Sequence, residues 1–181
     1  MKRFKYNIEQ FIRLFIQSLI CIKLFNLPIF SHIRDIAYKL LFNTGSKLHV
    51  GHNVYISREH QKYNGSIKIG KNVLLAHNVH LDYTGFLEIK DNVKIADSVD
   101  ILTHLRDIEA LRKRGEDINN QYHLIIEENA YIGSHVIILP PCKYIGKNAI
   151  IGSGSIITKD VLDNTLYCGN AAVLKKYLDE K

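Results

Sequence analysis

A histidine at position 104 stands where a regular pattern in this 181-residue chain stops. An imidazole titrating near neutrality is suited to take the proton from a hydroxyl, whose own pKa lies far above 7, as that oxygen attacks an electrophile. A surface histidine that happens to border a loop would occupy the same place, and position alone leaves the two readings level. Asp107, three residues on, either orients the segment around His104 or is a solvated loop carboxylate. Asn78 and Asp82 offer an amide and a carboxylate that could bind hydroxyl groups, yet both types are ordinary turn formers. Ser134 fits a corner that needs a small residue. Nine histidines, among them His77, His80, His104 and His135, bring zinc chemistry into consideration. No close pair stands beside a third in the arrangement of a three-histidine centre, and His77 and His80 are expected to point in different directions.

The elements that position these residues follow from a six-residue rhythm. Aliphatics recur at Ile69, Leu75, Leu81; Ile89, Ile95, Ile101; Ile126, Ile132, Ile138; and Ile145, Ile151, Ile157. Four positions after them stand modest side chains such as Val73, Val79, Val93, Val99, Ala130, Val136, Ala149 and Ser155. Val50 and Ile56 suggest a partial earlier turn. Six residues make a short strand and a corner, and three such units close a triangular coil that buries its apolar face only against neighbouring coils. The expected fold is therefore mainly β: a left-handed parallel β-helix, an exception to the usual handedness of parallel crossovers. The spacing departs from 18 residues per coil in places, most of all between Ile101 and Ile126, where 25 residues replace one unit of six. That surplus is a polar loop, 105–124, with no core to bury, inserted after residue 104. Long loops inside compact solenoids are more often functional than accidental.

Residues 1–47 read as a separate amphipathic helical segment, and 48–181 as the β-helix domain. Ile8, Phe11, Ile12, Phe15, Leu19 and Ile22 form one stripe, with Tyr6, Gln10, Arg13 and Gln17 opposite, and Pro28 ends the helix. A second helix is expected with Ser31 as its cap, running through Ile33, Ile36, Ala37, Leu40 and Leu41 to "NTG". These stripes would pack on the body of the protein or on another subunit; the other reading rests them on an anionic membrane surface. The net charge of +6 belongs to this segment alone: residues 1–47 hold eight Lys/Arg against Glu9 and Asp35, and the remainder holds 16 of each sign. A protein-wide nucleic-acid surface is thereby excluded. Three cysteines without metal-type spacing, Cys21, Cys142 and Cys168, read as reduced thiols packed as small hydrophobes. No secretory signal or spanning helix is recognisable, so a cytoplasmic protein is expected, with the inner face of the membrane as its alternative station.

From about residue 50 onward the chain resembles the hexapeptide-repeat (left-handed β-helix) acyltransferases. It looks most like the galactoside/maltose O-acetyltransferases and related polysaccharide O-acetyltransferases. "THLRDIEALRKRGE" resembles their histidine-containing extended loop, and "AYIGSHVIILPPCKYIGKNAIIGSGSIITKDV" is similar to their following coils almost residue for residue. The family commonly has Trp where Tyr131 stands, and Gly-x-Pro-Ala where this chain has "GNAAV" from Gly169. The first 47 residues do not look like the segment that influences acceptor choice in the family.

The resemblance implies a homotrimer that transfers an acetyl group from acetyl-CoA, as co-substrate and without a metal, directly to a carbohydrate hydroxyl; the basic amphipathic N-terminus points to a membrane-proximal saccharide of cell-surface polysaccharide biosynthesis. It implies His104 as general base and Ser134 as the place where a backbone N–H meets the developing oxyanion, a contribution worth ~3 kcal/mol of barrier. Asn78, Asp82 and Asp107 would lie toward the acceptor. Gly152 and Ser153 in the open "GSGSIITKD" stretch would let a pantetheine arm lie against backbone, Thr158 and Lys159 would meet the nucleotide end, and Lys175 and Lys176 its phosphates. The same prism also carries antibiotic and amino-sugar N-acetyltransferases, zinc lyases of the γ-carbonic anhydrase type and assembly scaffolds. The intact His104 loop and the "IGSGSIITKD" coil argue against the scaffold.

Overall fold

The rhythm of six is a packing requirement, because each aliphatic must point at one common axis. All twelve residues from Ile69 to Ile157 are buried, and so are the small side chains four positions after them, from Val73 to Ser155. The structure is a computed structural model and describes residues 11–19, 30–58, 64–104 and 122–178. Every third strand joins one sheet, so three sheets form the faces of a triangular prism. The first face stacks Asn43–Thr44, Ser66–Ile69, Phe86–Ile89, His123–Ile126 and Tyr144–Ile145. The second stacks His49–Val50, Leu74–Leu75, Lys94–Ile95, Tyr131–Ile132, Ile150–Ile151 and Thr165–Gly169. The third stacks Tyr55–Ser57, His80–Asp82, Asp100–Ile101, Ile137–Ile138 and Ile156–Ile157. All these pairs are parallel and in register, Leu81 beside Ile101 and Ile101 beside Ile138. The first strand, Asn43–Thr44, already pairs with Lys68 and Ile69, so the prism begins before residue 48.

Two of the three corners turn through the left-handed region. Between the first and second faces Lys47, Asn72, Asn92, Asn129, Asn148 and Asn164 have φ between 52° and 62°. Asparagine tolerates this conformation, and here its amide also links coils: Asn129 Nδ2 donates to Asn148 Oδ1 (3.0 Å) and Asn148 Nδ2 to Asn164 Oδ1 (2.7 Å). The corner between the second and third faces repeats the device with Asn53, Asn78, Ser98, His135 and Gly154. The corner between the third and first faces is where the surplus residues leave: Tyr83–Gly85 after one coil, Pro140–Lys143 after another, and the stretch after His104. Residues 105–121, with Asp107, lie outside the described residues, and the strand His123–Ile126 starts inside the range expected to be loop.

Helical residues 11–19 (α1) and Ser31–Leu41 (α2) cover the open end of the first coil. They do so with polar groups. Gln17, 1% exposed, donates from Nε2 to the Ile56 carbonyl (3.2 Å) and accepts from the Ile56 N–H at Oε1 (2.9 Å), replacing the strand that is missing there. On the second face Val50 N–H donates to Asp35 Oδ1 (2.8 Å), and Arg34 Nε donates to the Val50 carbonyl (3.2 Å). Tyr38 OH donates to the Val54 carbonyl. Arg13 donates to Tyr83 OH (3.0 Å) and lies over the Phe42 ring. The expected stripes therefore turn mostly away from the body: Phe11, Ile12, Phe15 and Leu19 of α1, and Ile33, Ile36 and Leu40 of α2, are exposed, Leu41 packs against the core, and Ile8 and Ile22 lie outside the described residues. Unpaired strand edges want hydrogen bonds more than apolar contact, so the polar side of each helix wins the interior place. Ser31 is not a cap either; it is the first helical residue, preceded by Phe30 without a side-chain capping bond. At the other end Ala172–Tyr177 folds back antiparallel on Thr165–Gly169 and occupies the last edge. No helix among the described residues is long and apolar enough to cross a membrane.

Candidate active site

His104 sits on the corner between the third and first faces, at the end of the third coil, and is only 8% exposed. Its Nδ1–H donates to Asp82 Oδ2 at 2.7 Å. Asp82 belongs to the strand one coil earlier and is fully buried. Its carboxylate also accepts from Thr84 N–H (2.9 Å) and Oγ1 (2.6 Å) at Oδ1, and from Thr103 N–H (2.8 Å) and Oγ1 (2.9 Å) at Oδ2. Burial by itself would raise the Asp82 pKa. The bonds from His104, Thr84 and Thr103 outweigh it and hold the carboxyl at about 2. An ionised carboxylate only accepts, so the proton of a neutral His104 is on Nδ1 and Nε2 carries the lone pair. That is a base with its tautomer and ring plane fixed.

Ser134 occupies a different edge of the prism, the corner between the second and third faces. His52, His77, Asp97, Ser134 and Ser153 stack there, one per coil. His52 N–H donates to His77 Nδ1 (3.0 Å) and His77 N–H to Asp97 Oδ1 (2.8 Å), with the two imidazoles 3.8 Å apart and stacked. At Ser134 the carbonyl accepts from Gly154 N–H (2.8 Å), while its own N–H has no intramolecular acceptor among the described residues. A Cβ on the neighbouring Gly133 would come within 2.7 Å of Ile151 O and Ser153 N, so only glycine lets the coils close here. Gly152 and exposed Ser153 lie on this same edge. Thr158 and Lys159 lie on the His104 edge, two coils further on, and Lys175 and Lys176 are exposed on the terminal antiparallel strand. One chain thus holds the expected base and the expected oxyanion donor on separate edges. A groove of about 520 Å³ lies at the remaining corner, beside Asn72, Lys94 and Tyr131, away from both.

No family model matches the chain. Over 129 residues, 71% of its length, it is 36% identical to galactoside O-acetyltransferase of Escherichia coli (strain K12), covering 53% of that enzyme. A solved galactoside acetyltransferase in complex with coenzyme A superposes with a TM-score of 0.74 at 27% identity, over 94% of this chain and 81% of that one. A hexapeptide-repeat-containing acetyltransferase from Vibrio cholerae superposes with a TM-score of 0.78 at 22% identity, over 97% and 94%, which shows the fold. The chain is a homologue of the hexapeptide-repeat acetyltransferases. Its fold is their left-handed β-helix. It spans about half the length, or less, of the curated galactoside O-acetyltransferases it matches.

In this hexapeptide-repeat homologue several site residues stand elsewhere than the sequence suggested. Asp82 does not face an acceptor: it is enclosed by Thr84, Thr103 and His104, and its partner is the imidazole. Nor is His104 a surface histidine, since Asp82 draws it into the corner. Asn78 is a left-handed corner residue whose Oδ1 accepts from Asn53 Nδ2 (2.9 Å), on the Ser134 edge and not beside His104. His77 and His80 do diverge, His77 to the stack on His52 and His80 to Asp100 (3.4 Å) and Ser57 Oγ (3.1 Å). No group of three or more potential metal ligands is gathered among the described residues. Thr84 and Thr103 escaped the sequence reading. Their signal was register: with Leu81 beside Ile101, the residues just after each must meet at the corner.

Proposed function

We propose that the protein transfers an acetyl group from acetyl-CoA to a hydroxyl of a carbohydrate, directly, with His104 as general base. The observation that carries this reading is the His104–Asp82 pair, a buried imidazole with its Nε2 lone pair held ready at the corner where the repeat breaks. His104 Nε2 takes the hydroxyl proton as the sugar oxygen bonds to the thioester carbonyl carbon. The tetrahedral oxyanion is met by the Ser134 N–H. The C–S bond then breaks, and the imidazolium returns the proton to the departing CoA sulfur. Asp82 stabilises the imidazolium between these steps. Support for the donor and acceptor comes from the galactoside O-acetyltransferase relatives and the coenzyme A complex of a structural neighbour.

Because His104 and Ser134 occupy separate edges, the reaction needs the His104 edge of one copy against the Ser134 edge of another, and a homotrimer closes that arrangement with three equal sites. Ser153 and Gly152 would then line the pantetheine side, with Thr158 and Lys159 reaching the nucleotide from the facing copy. The acceptor we infer is a unit of a cell-surface polysaccharide, acetylated on the cytoplasmic side, where acetyl-CoA is made. Calorimetric titration with acetyl-CoA, followed by a sugar panel, tests the reading. Wild type should bind about one acetyl-CoA per chain, and His104→Ala should bind it as tightly while kcat falls about 10²- to 10⁴-fold. Absence of acetyl-CoA binding, or a His104→Ala variant of undiminished kcat, would refute it.

A further inference from the structure

The two N-terminal helices are mounted with their polar sides inward, and this leaves an apolar surface on the far side. Seven large hydrophobic side chains, from Phe11 (68% exposed) on α1 to Leu40 (82% exposed) on α2, face away from the prism at the end of the first coil. Phe11 and Phe15 are already stacked on each other, 6.2 Å between centroids, along that outer side. Large apolar side chains left exposed in this number on two neighbouring elements mark a place of contact. Charge separates the candidate occupants. Residues 1–47 carry the whole net charge of the chain, eight Lys/Arg against two acidic residues; Asp35 and Arg34 are both buried against the first coil and Arg13 is turned onto Tyr83 and Phe42, which leaves six basic residues against Glu9 outside those contacts. Lys39 and Lys47 are exposed in the same segment. A second copy docked face to face would bring two such positive segments together, whereas an anionic layer with an apolar interior satisfies both the charge and the side chains.

We infer that this outward face docks the protein peripherally on an anionic lipid bilayer, with Phe11, Phe15, Ile36 and Leu40 in the acyl boundary and the lysines among the phosphates. The helices act as adapters: Gln17, Arg34 and Asp35 bind strand edges on one side while the opposite side meets lipid. The attraction is directional, because residues 48–181 carry no net charge. The first coil therefore turns toward the membrane and the final hairpin away from it. The inference rests on α1 and α2 alone and is independent of the acetyl acceptor.

Co-sedimentation of the full chain with vesicles of phosphatidylcholine, with and without phosphatidylglycerol, tests it. Expected is binding to the phosphatidylglycerol vesicles that weakens in high salt. A Phe15→Glu/Leu40→Glu variant should bind at least about tenfold more weakly. Circular dichroism and acetyl-CoA titration should leave that variant indistinguishable from wild type, since both residues are exposed. Failure of wild type to sediment with either vesicle, equal binding to both, or undiminished binding by the folded variant would overturn the inference. So would an association of whole assemblies that the same variant abolishes, which would assign the face to a second copy.

Discussion

At the residue scale the central feature is a carboxylate that sits where no water reaches it and yet stays ionised. Asp82 is kept that way by five hydrogen bonds, one of them from the catalytic candidate. Its pKa lies near 2 in the folded protein against 3.8 in a free side chain. A depressed pKa adds stability that is fully present above pH 4, worth about 2 kcal/mol here, and lost as pH falls from about 4 to 2. Acid unfolding followed by circular dichroism should show that loss in wild type, and a flatter curve over the same window in Asp82→Asn. The same substitution should cut kcat by about 10²- to 10⁴-fold while leaving acetyl-CoA affinity unchanged, because an amide no longer holds the Nδ1–H tautomer. A purely structural Asp82 would lower stability without changing the pH profile of kcat. The place of His104 at the break in the repeat was legible in the sequence. The role of Asp82 was not. It depends on a two-residue surplus after Leu81 that brings positions 82 and 104 together from 22 residues apart, and composition carries no trace of that geometry.

Elements here are short strands joined by corners, and the corners carry the strain. Asn148 combines a φ of 55° with amide bonds to the coils on both sides. Asn148→Ala should cost about 2 kcal/mol in urea unfolding, part from the left-handed backbone and part from the lost ladder. Asn148→Gly should cost about half as much, since glycine removes only the ladder. Equal losses would mean that the conformation is unstrained. The strands were read from sequence because burial at the axis permits little but Ile, Leu and Val. The described helices carry exposed apolar and buried polar side chains, so the orientation expected from their stripes is inverted. A stripe tells which residues are apolar but not which side the rest of the molecule needs, and the open backbone groups of Val50 and Ile56 are invisible until the first coil exists.

For the whole molecule those same groups decide how the solenoid ends. Gln17→Ala would leave the Ile56 N–H and carbonyl buried without partners and should lower stability by about 2–4 kcal/mol. Ser18→Ala, which removes only an exposed bond to Leu14 O, should be neutral; thermal unfolding of the pair checks both. Coil stacking has one more consequence, for distance. Parallel strands stand about 4.8 Å apart, so His104, closing the third coil, is about 10 Å along the axis from the first. A helix half sunk among the headgroups adds roughly 5 Å more. If α1 and α2 dock on lipid as inferred, with the prism axis upright, the prism is a ruler that holds the imidazole on the order of 15 Å above the bilayer. It would reach saccharides that stand well clear of their anchor and pass over the first sugar attached to it, and each coil inserted before His104 would raise that threshold by one strand spacing.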